Sequence, residues 1–314
     1  MDIEKIRKLF LEHGFNVSVK NFCDINFRND DFSGTYILYT SQEDPGLKYK
    51  GFVEDILLGL REKGATLIPD FKYFRAHHNK VFMEILRDAS KLENIKNIKS
   101  YYFGTKDEFE YKKKEISLPA VIKNAEGATS SGVYLANAKN IDFIIKKVSF
   151  AGAFLPYLKN IVKKILKKPI YPVSLFRNKF IIQNYIEGLK GDFKILVYGE
   201  KYYVLERKNR KNDFRASGSG KFSLPEVANT ELLNFAKNVF ESFDVPFVSL
   251  DIAEKNGEFF LIEFQFVMFG TFTIEASSFH FKKVKEVWEK IDEKPDLEAV
   301  FCESVIKFIE NYEQ

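Results

Sequence analysis

Apolar and polar positions along this chain repeat with two periods, and each change of period marks an element. Residues 1–15 (MDIEKIRKLFLEHGF) place apolar side chains at helical spacing and predict an amphipathic helix. Residues 35–75 read as strand, helix, strand. The run 35–40 (TYILYT) is apolar and β-rich, and Asp44-Pro45-Gly46 marks a turn. Residues 52–63 then follow a helical period that stops at Gly64, and 65–68 begin a strand closed by Pro69. A βαβ unit of this length predicts parallel pairing in a small N-terminal lobe.

Further along, residues 79–92 predict a helix with Asn79 as its N-cap. The strand 119–123 (PAVIK) runs into the loop EGATSSG, and a short strand follows at 133–135. Residues 155–168 form a basic amphipathic helix. Strands at 180–185, 193–197 and 202–205 come next, the last two joined by a Gly199-Glu200 turn. A helix spans 229–243. Strands 247–252 and 258–264 flank Lys255-Asn256-Gly257, a hairpin signal, and a helix at 295–312 ends the pattern.

Composition narrows the function classes. Of 314 residues, 48 are basic and 44 acidic, for a net charge of +4, which gives no basic stripe of the kind that binds nucleic acid. Cys23 and Cys302 have no CxxC or Cys/His spacing and read as reduced thiols. The N-terminus lacks a signal peptide's apolar region, and no run is long enough to cross a membrane, so the expected location is cytoplasmic. His77 and His78 are neighbours on a loop, an arrangement that rarely ligates one metal.

Three segments carry candidate chemistry. In VSLDIAEKNGEFFLIEFQ, Glu263 and Gln265 lie two apart on a strand and share a face, and an antiparallel hairpin can bring Asp251 beside them. Two carboxylates and an amide oxygen are hard donors that suit Mg²⁺ on nucleotide phosphates; the alternative is acids facing solvent. Lys123 ends an apolar strand before the 126–132 loop, where a cation and backbone N–H groups could close over phosphates, or a flexible turn could simply follow an edge strand. Finally, Gln183-Asn184-Tyr185 ends another strand, Asp192 follows, and the basic run from Arg207 to Arg215 leads into ASGSG. That order fits either a solvated loop or an anion clamp. In helix 155–168, Lys159, Lys163, Lys164, Lys167 and Lys168 sit opposite an apolar face. It reads first as a core-facing helix with solvated lysines, with docking on a membrane surface as the alternative.

The order Asn79-Lys80, PAVIK with EGATSSGV, IIQNYIEG with GDFK, ERK with DFRASGSG, then SLDI with LIEFQ, resembles the ATP-grasp superfamily over residues 79 to about 270. It is most similar to the branch of ribosomal-protein glutamate ligases and glutathione synthetases. The resemblance implies an α/β and α+β fold: a βαβ lobe at 1–78, an ATP-grasp lobe at 79–182 and a second at 183–314, the latter two clamping a nucleotide. It implies that Lys80 and Lys123 contact phosphates and that Gly127, Ser130, Ser131 and Gly132 belong to a phosphate-covering loop. Asn184 and Tyr185 fall at the adenine hinge, with Asp192 near the nucleotide. Arg215 and Lys123 are the implied catalytic residues, and Asp251, Glu263 and Gln265 the implied Mg²⁺ ligands, with Mn²⁺ able to substitute. The implied activity is ATP-dependent joining of a small-molecule carboxylate and amine through an acyl phosphate. A phosphotransferase acting on a hydroxyl, or a non-catalytic nucleotide binder, are the alternatives. No nucleic-acid partner is implied, and a homo-oligomer is compatible. Four departures stand out: Gln265 replaces the family's asparagine, Phe266 to Gly270 replace a Ser-Pro-Gly, Asn184 stands where an acid is common, and Lys194 where an arginine is common.

Overall fold

The βαβ unit forms as its pattern dictates. Strands Tyr36–Leu38 and Thr66–Ile68 pair in parallel, joined through helix Lys48–Glu62, which buries Val53, Leu57 and Leu60. The computed structural model describes all residues except 42–45, 128–131, 153, 171–173, 212 and 313–314, and all side chains of those except Phe154 and Pro156. Asp44 and Pro45 of the expected turn therefore lie outside the described residues, as do Ser130 and Ser131.

The chain divides into two units. The first combines Met1–His77, Ser90–Ile95 and Leu189–Gln314. Its main sheet has seven strands, with Glu258–Gln265, Phe247–Lys255, Gly191–Tyr198, Lys201–Lys208, Phe279–Val284 and Val287–Asp292 in spatial order, and Phe222–Ser223 pairing beside Lys201–Lys208. Every pairing in it is antiparallel. Phe10 of the N-terminal helix Ile3–Glu12 and Ile68 share one core with Leu196, Tyr203 and Val305, so the first and last segments of the sequence pack together. Helix Thr230–Glu241 starts at Asn229, whose Oδ1 accepts the Leu232 N–H at 3.1 Å.

The second unit comprises His78–Ala89 and Lys96–Gly188. Its four-stranded antiparallel sheet runs Ser100–Phe103, Phe180–Asn184, Ala120–Asn124, Val133–Ala136. Ala120 and Ile122 face helix Ile141–Ser149 through an apolar core that includes Phe109 and Ile145. Helix Lys80–Ala89 meets the same sheet, with Asn79 capping it by accepting the Phe82 N–H at 3.4 Å.

One expectation fails here. Helix Phe154–Ile165 does not turn its apolar side into a core: none of its described side chains is buried, and Leu155 and Ile165 are 73% and 74% exposed. Its apolar arc lies outward, while Asn160 and Lys163 on the polar arc are partly covered. No helix among the described residues is long and apolar enough to cross a membrane.

Candidate functional site

The chemistry of the first unit depends on one irregularity in its hairpin. Counting back from the Asn256-Gly257 turn, Lys255 pairs with Glu258 and Ile252 with Leu261; the register then slips, and Asp251 faces Glu263. Ile262 is the extra residue of a β-bulge. Because strand side chains alternate, one inserted residue moves Glu263 and Gln265 onto the face of Asp251 and Ser249. Directly opposed strand residues have Cβ atoms about 5 Å apart, so the bulge sets two carboxylates side by side. The Glu263 and Gln265 side chains make no hydrogen bond or ion pair among the described residues.

Neighbouring strands complete a charged face. Lys194 lies opposite Asp251 on the strand Gly191–Tyr198. Its Nζ donates to Ser249 Oγ at 2.9 Å and pairs with Asp251 Oδ1 at 3.3 Å. Arg207, opposite Asp192, grips that carboxylate with two bonds, Nε to Oδ1 at 2.6 Å and Nη2 to Oδ2 at 2.8 Å, and reaches Asp251 Oδ2 at 2.9 Å. Such a forked pairing fixes the guanidinium plane as well as its charge. Burial would raise the Asp251 pKa, but Lys194 and Arg207 outweigh it and hold the carboxyl below its ordinary value. Asp192 goes the other way: burial first, then the Asp251 charge, push it up to about 6 despite Arg207.

Three carboxylates (Asp192, Asp251, Glu263) thus meet two cations (Lys194, Arg207) on one face. Among the described residues no group of three or more His, Cys, Asp or Glu side chains is arranged to hold a metal ion. The candidate donor set is instead two carboxylates and an amide, all hard oxygens, with Glu263 and Gln265 unengaged. That set fits a divalent cation such as Mg²⁺. Both oxygens of Asp251 are already paired, so it reaches a metal only by yielding part of its contact with Lys194 or Arg207.

Arg215 is held within the loop that follows Lys208. Its Nε and Nη2 donate to Asp213 at 2.6–3.0 Å, and the guanidinium is part-buried. Arg210 stiffens the same loop by donating to the Ser217 carbonyl, and its backbone N–H bonds the Arg215 carbonyl at 3.0 Å.

In the second unit, Lys123 is buried and shares the Val121 face of its strand, opposite the apolar core. Lys80 sits at the start of its helix, with its N–H bonded to the Ala125 carbonyl at 2.8 Å and its Nζ donating to the Gly127 carbonyl at 2.7 Å. The loop after Lys123 is therefore pinned at its first glycine by one of the two candidate phosphate ligands. Gly127 has φ +105°, which only glycine adopts without strain. At Gly132 a Cβ would come within 2.7 Å of Asn124 Nδ2. Asn184 is exposed and pairs with Ala120, so its side chain lies on the face opposite Lys123; its N–H bonds the Lys99 carbonyl at 3.1 Å. Asn184 and Tyr185 belong to this unit, and Asp192 to the first.

Sequence reading missed the positive half of the face. Arg207 looked like one of several loop cations, and Lys194 like a departure from a family pattern. Their strand parity relative to Asp192 and Asp251 was the available signal, together with the cost of burying a carboxylate unpaired.

These folds have relatives. No family model matches the chain. The protein named alpha-aminoadipate–LysW ligase LysX, from Sulfolobus acidocaldarius, is 28% identical over 162 residues, 51% of this chain. The match spans about half the length of that curated relative. Among solved structures, the D-cycloserine synthetase DcsG aligns at TM-score 0.54 and 9% identity, covering 97% of this chain and 93% of its own. The ATP-grasp ligase PsnB, complexed with minimal precursor, Mg and ADP, gives 0.52 at 13% identity over 98% and 93%. A RimK domain ATP-grasp protein from Sphaerobacter thermophilus gives 0.50 at 10% identity over 98% and 96%. The chain has the ATP-grasp fold.

Proposed function

We propose that this protein is an ATP-dependent carboxylate–amine ligase acting on small molecules in the cytoplasm. The observation that carries the reading is the bulge that brings Glu263 and Gln265 to the face of Asp251, in a chain with the ATP-grasp fold. The relation to LysX, itself named a ligase, supports the reaction class. Two free thiols, Cys23 and Cys302, support a reducing compartment.

In this reading Lys80, Lys123 and the 126–132 loop, with Gly127, Ser130, Ser131 and Gly132, hold the nucleotide phosphates. Asn184 and Tyr185 meet the adenine, and Asp192 orients Arg207 beside the nucleotide. Asp251, Glu263 and Gln265 hold Mg²⁺, replaceable by Mn²⁺, which when bound neutralises phosphate charge. A substrate carboxylate oxygen bonds to the γ-phosphorus as the bond to ADP breaks. Arg215 and Lys123 stabilise the charge on the transferring group. The amine nitrogen then bonds to the acyl carbon, phosphate leaves with the electron pair, and the amine releases a proton. Positioning and charge neutralisation supply the catalysis.

The test is calorimetric titration with a non-hydrolysable Mg-ATP analogue, followed by a substrate screen reading ADP and phosphate. Wild type binds in a magnesium-dependent manner, and Lys123→Ala and Glu263→Ala each weaken binding at least about tenfold, as expected for loss of a charged contact. Absence of binding by folded wild type overturns the reading. ADP release that leaves a stable phosphorylated product, with no free phosphate, converts it to a phosphotransferase.

A further inference from the structure

Helix Phe154–Ile165 poses a physical problem that the nucleotide chemistry leaves unanswered. Leu155, Leu158, Ile161, Val162, Ile165 and Leu166 form one continuous arc about 140° wide, and every one of them is exposed. A helix of about 12 residues is marginal in water unless a surface covers its apolar face. Its C-terminal end is closed by local bonds: Lys168 N–H to the Lys163 carbonyl at 2.9 Å and Lys167 N–H to the Lys164 carbonyl at 3.1 Å, with Lys167 at φ +53°. This is a Schellman closure, made here by lysine instead of glycine.

Charge identifies what covers the arc. Residues 143–186 contain nine cations, Lys146, Lys147, Lys159, Lys163, Lys164, Lys167, Lys168, Arg177 and Lys179, and no Asp or Glu. Two copies of such a face would repel each other, which disfavours self-association. A helix about 18 Å long that presents its apolar arc outward, flanked by lysines, suits a deformable anionic surface better than a folded acidic partner. Lys159 and Lys164 border the arc, where their stems can lie along the acyl boundary while their ammonium groups stay among headgroups.

We infer that this helix docks the protein on an anionic lipid bilayer surface, with the outward apolar arc inserted at the headgroup boundary and the lysines contacting acidic headgroups. The cytoplasmic leaflet carries such a surface. Docking through this helix uses no residue assigned above to nucleotide or metal.

The experiment is co-sedimentation of the full chain with phosphatidylcholine vesicles, with and without phosphatidylglycerol, across a salt series. Wild type sediments with the anionic vesicles, weakens with salt, and stays in solution with phosphatidylcholine alone. Lys159→Glu/Lys164→Glu/Lys168→Glu lowers the partition by at least about 100-fold, since each near-surface lysine lost is worth roughly a factor of five and each glutamate added is repelled. Leu158→Ser/Ile165→Ser abolishes binding with unchanged thermal unfolding, because both side chains are exposed in the folded protein. Failure of wild type to sediment at low salt overturns the inference. So does binding that survives the Leu158→Ser/Ile165→Ser change. Capture by soluble polyglutamate, or a dimer broken by Leu158→Ser/Ile165→Ser, in either case without vesicle binding, would assign the face to an acidic polypeptide or to a second copy.

Discussion

At Gly191 two strands approach so closely that a Cβ would stand 2.0 Å from the Arg207 carbonyl oxygen. The obstacle is backbone, so a side chain cannot be accommodated by a rotamer change. Gly191→Ala should cost about 1–3 kcal/mol of stability, measured by urea unfolding. It should also disturb Mg-ATP binding, because the strands it separates carry Asp192 and Arg207. Wild-type stability would show that the strands can slide apart freely. Glu263 predicts the opposite balance. Its carboxylate opposes Asp251 without a counter-charge of its own, and like charges directly across strands are destabilising. Glu263→Ala should therefore leave the ligand-free protein as stable or slightly more so, by up to about 1 kcal/mol, while losing metal-dependent binding. A large loss of stability would mean that Glu263 serves the fold. Asp251, Glu263 and Gln265 were legible from their residue types and parity within a strand. The bulge at Ile262 was not, because simple counting from the Asn-Gly turn sets Asp251 opposite Ile262 and sends Glu263 to the other face.

Elements with local signals were legible in the same way: the parallel βαβ unit, the capped helices and the Asn256-Gly257 hairpin all carry their own punctuation. The hairpin of Phe279–Val284 and Val287–Asp292 escaped notice because its turn residues, Lys285 and Glu286, adopt φ +46° and +67° without the glycine or asparagine that usually marks such a turn. The turn at Glu200 shows what joins these elements. Its carboxylate accepts from Lys307 on the C-terminal helix at 2.6 Å and pairs with Lys282 on strand Phe279–Val284 at 2.9 Å. Those hydrogen bonds depress its pKa from 4.5 to about 2. A depressed carboxylate stabilises the fold above its unfolded pKa and loses that contribution as pH falls through the folded value. Glu200→Gln should therefore lower the melting temperature at neutral pH, modestly because the group is half exposed. The gap from wild type should narrow between pH 4.5 and about 2, and also with added salt. A gap that persists at low pH would show that the glutamine substitution acts through packing.

Over the whole molecule, the division into units follows the cores and ignores the order of the sequence. Phe10 and Ile68 join Val305 in one core, a pairing across more than half the chain that no local period announces. The second unit has its own apolar core and, on the other face of its sheet, a buried polar chain. Glu84 accepts from Arg87 Nε at 3.0 Å and from Ser100 Oγ, which in turn accepts from Gln183 Nε2 at 3.1 Å. Glu84 and Arg87 are both fully buried, so removing the Glu84 carboxylate takes a charged partner from a buried cation. Glu84→Ala should cost about 3–5 kcal/mol, and the cost should be confined to the unit that contains it. Amide exchange is the discriminating measurement, since cooperative units open at their own free energies. Exchange should accelerate in strands Ala120–Asn124 and Phe180–Asn184 and stay slow in Phe247–Lys255. If all three accelerate equally, the chain unfolds as one body and the two cores are energetically coupled. If only the first two do, the lysines proposed to hold phosphate and the carboxylates proposed to hold metal rest on foundations that can be weakened separately.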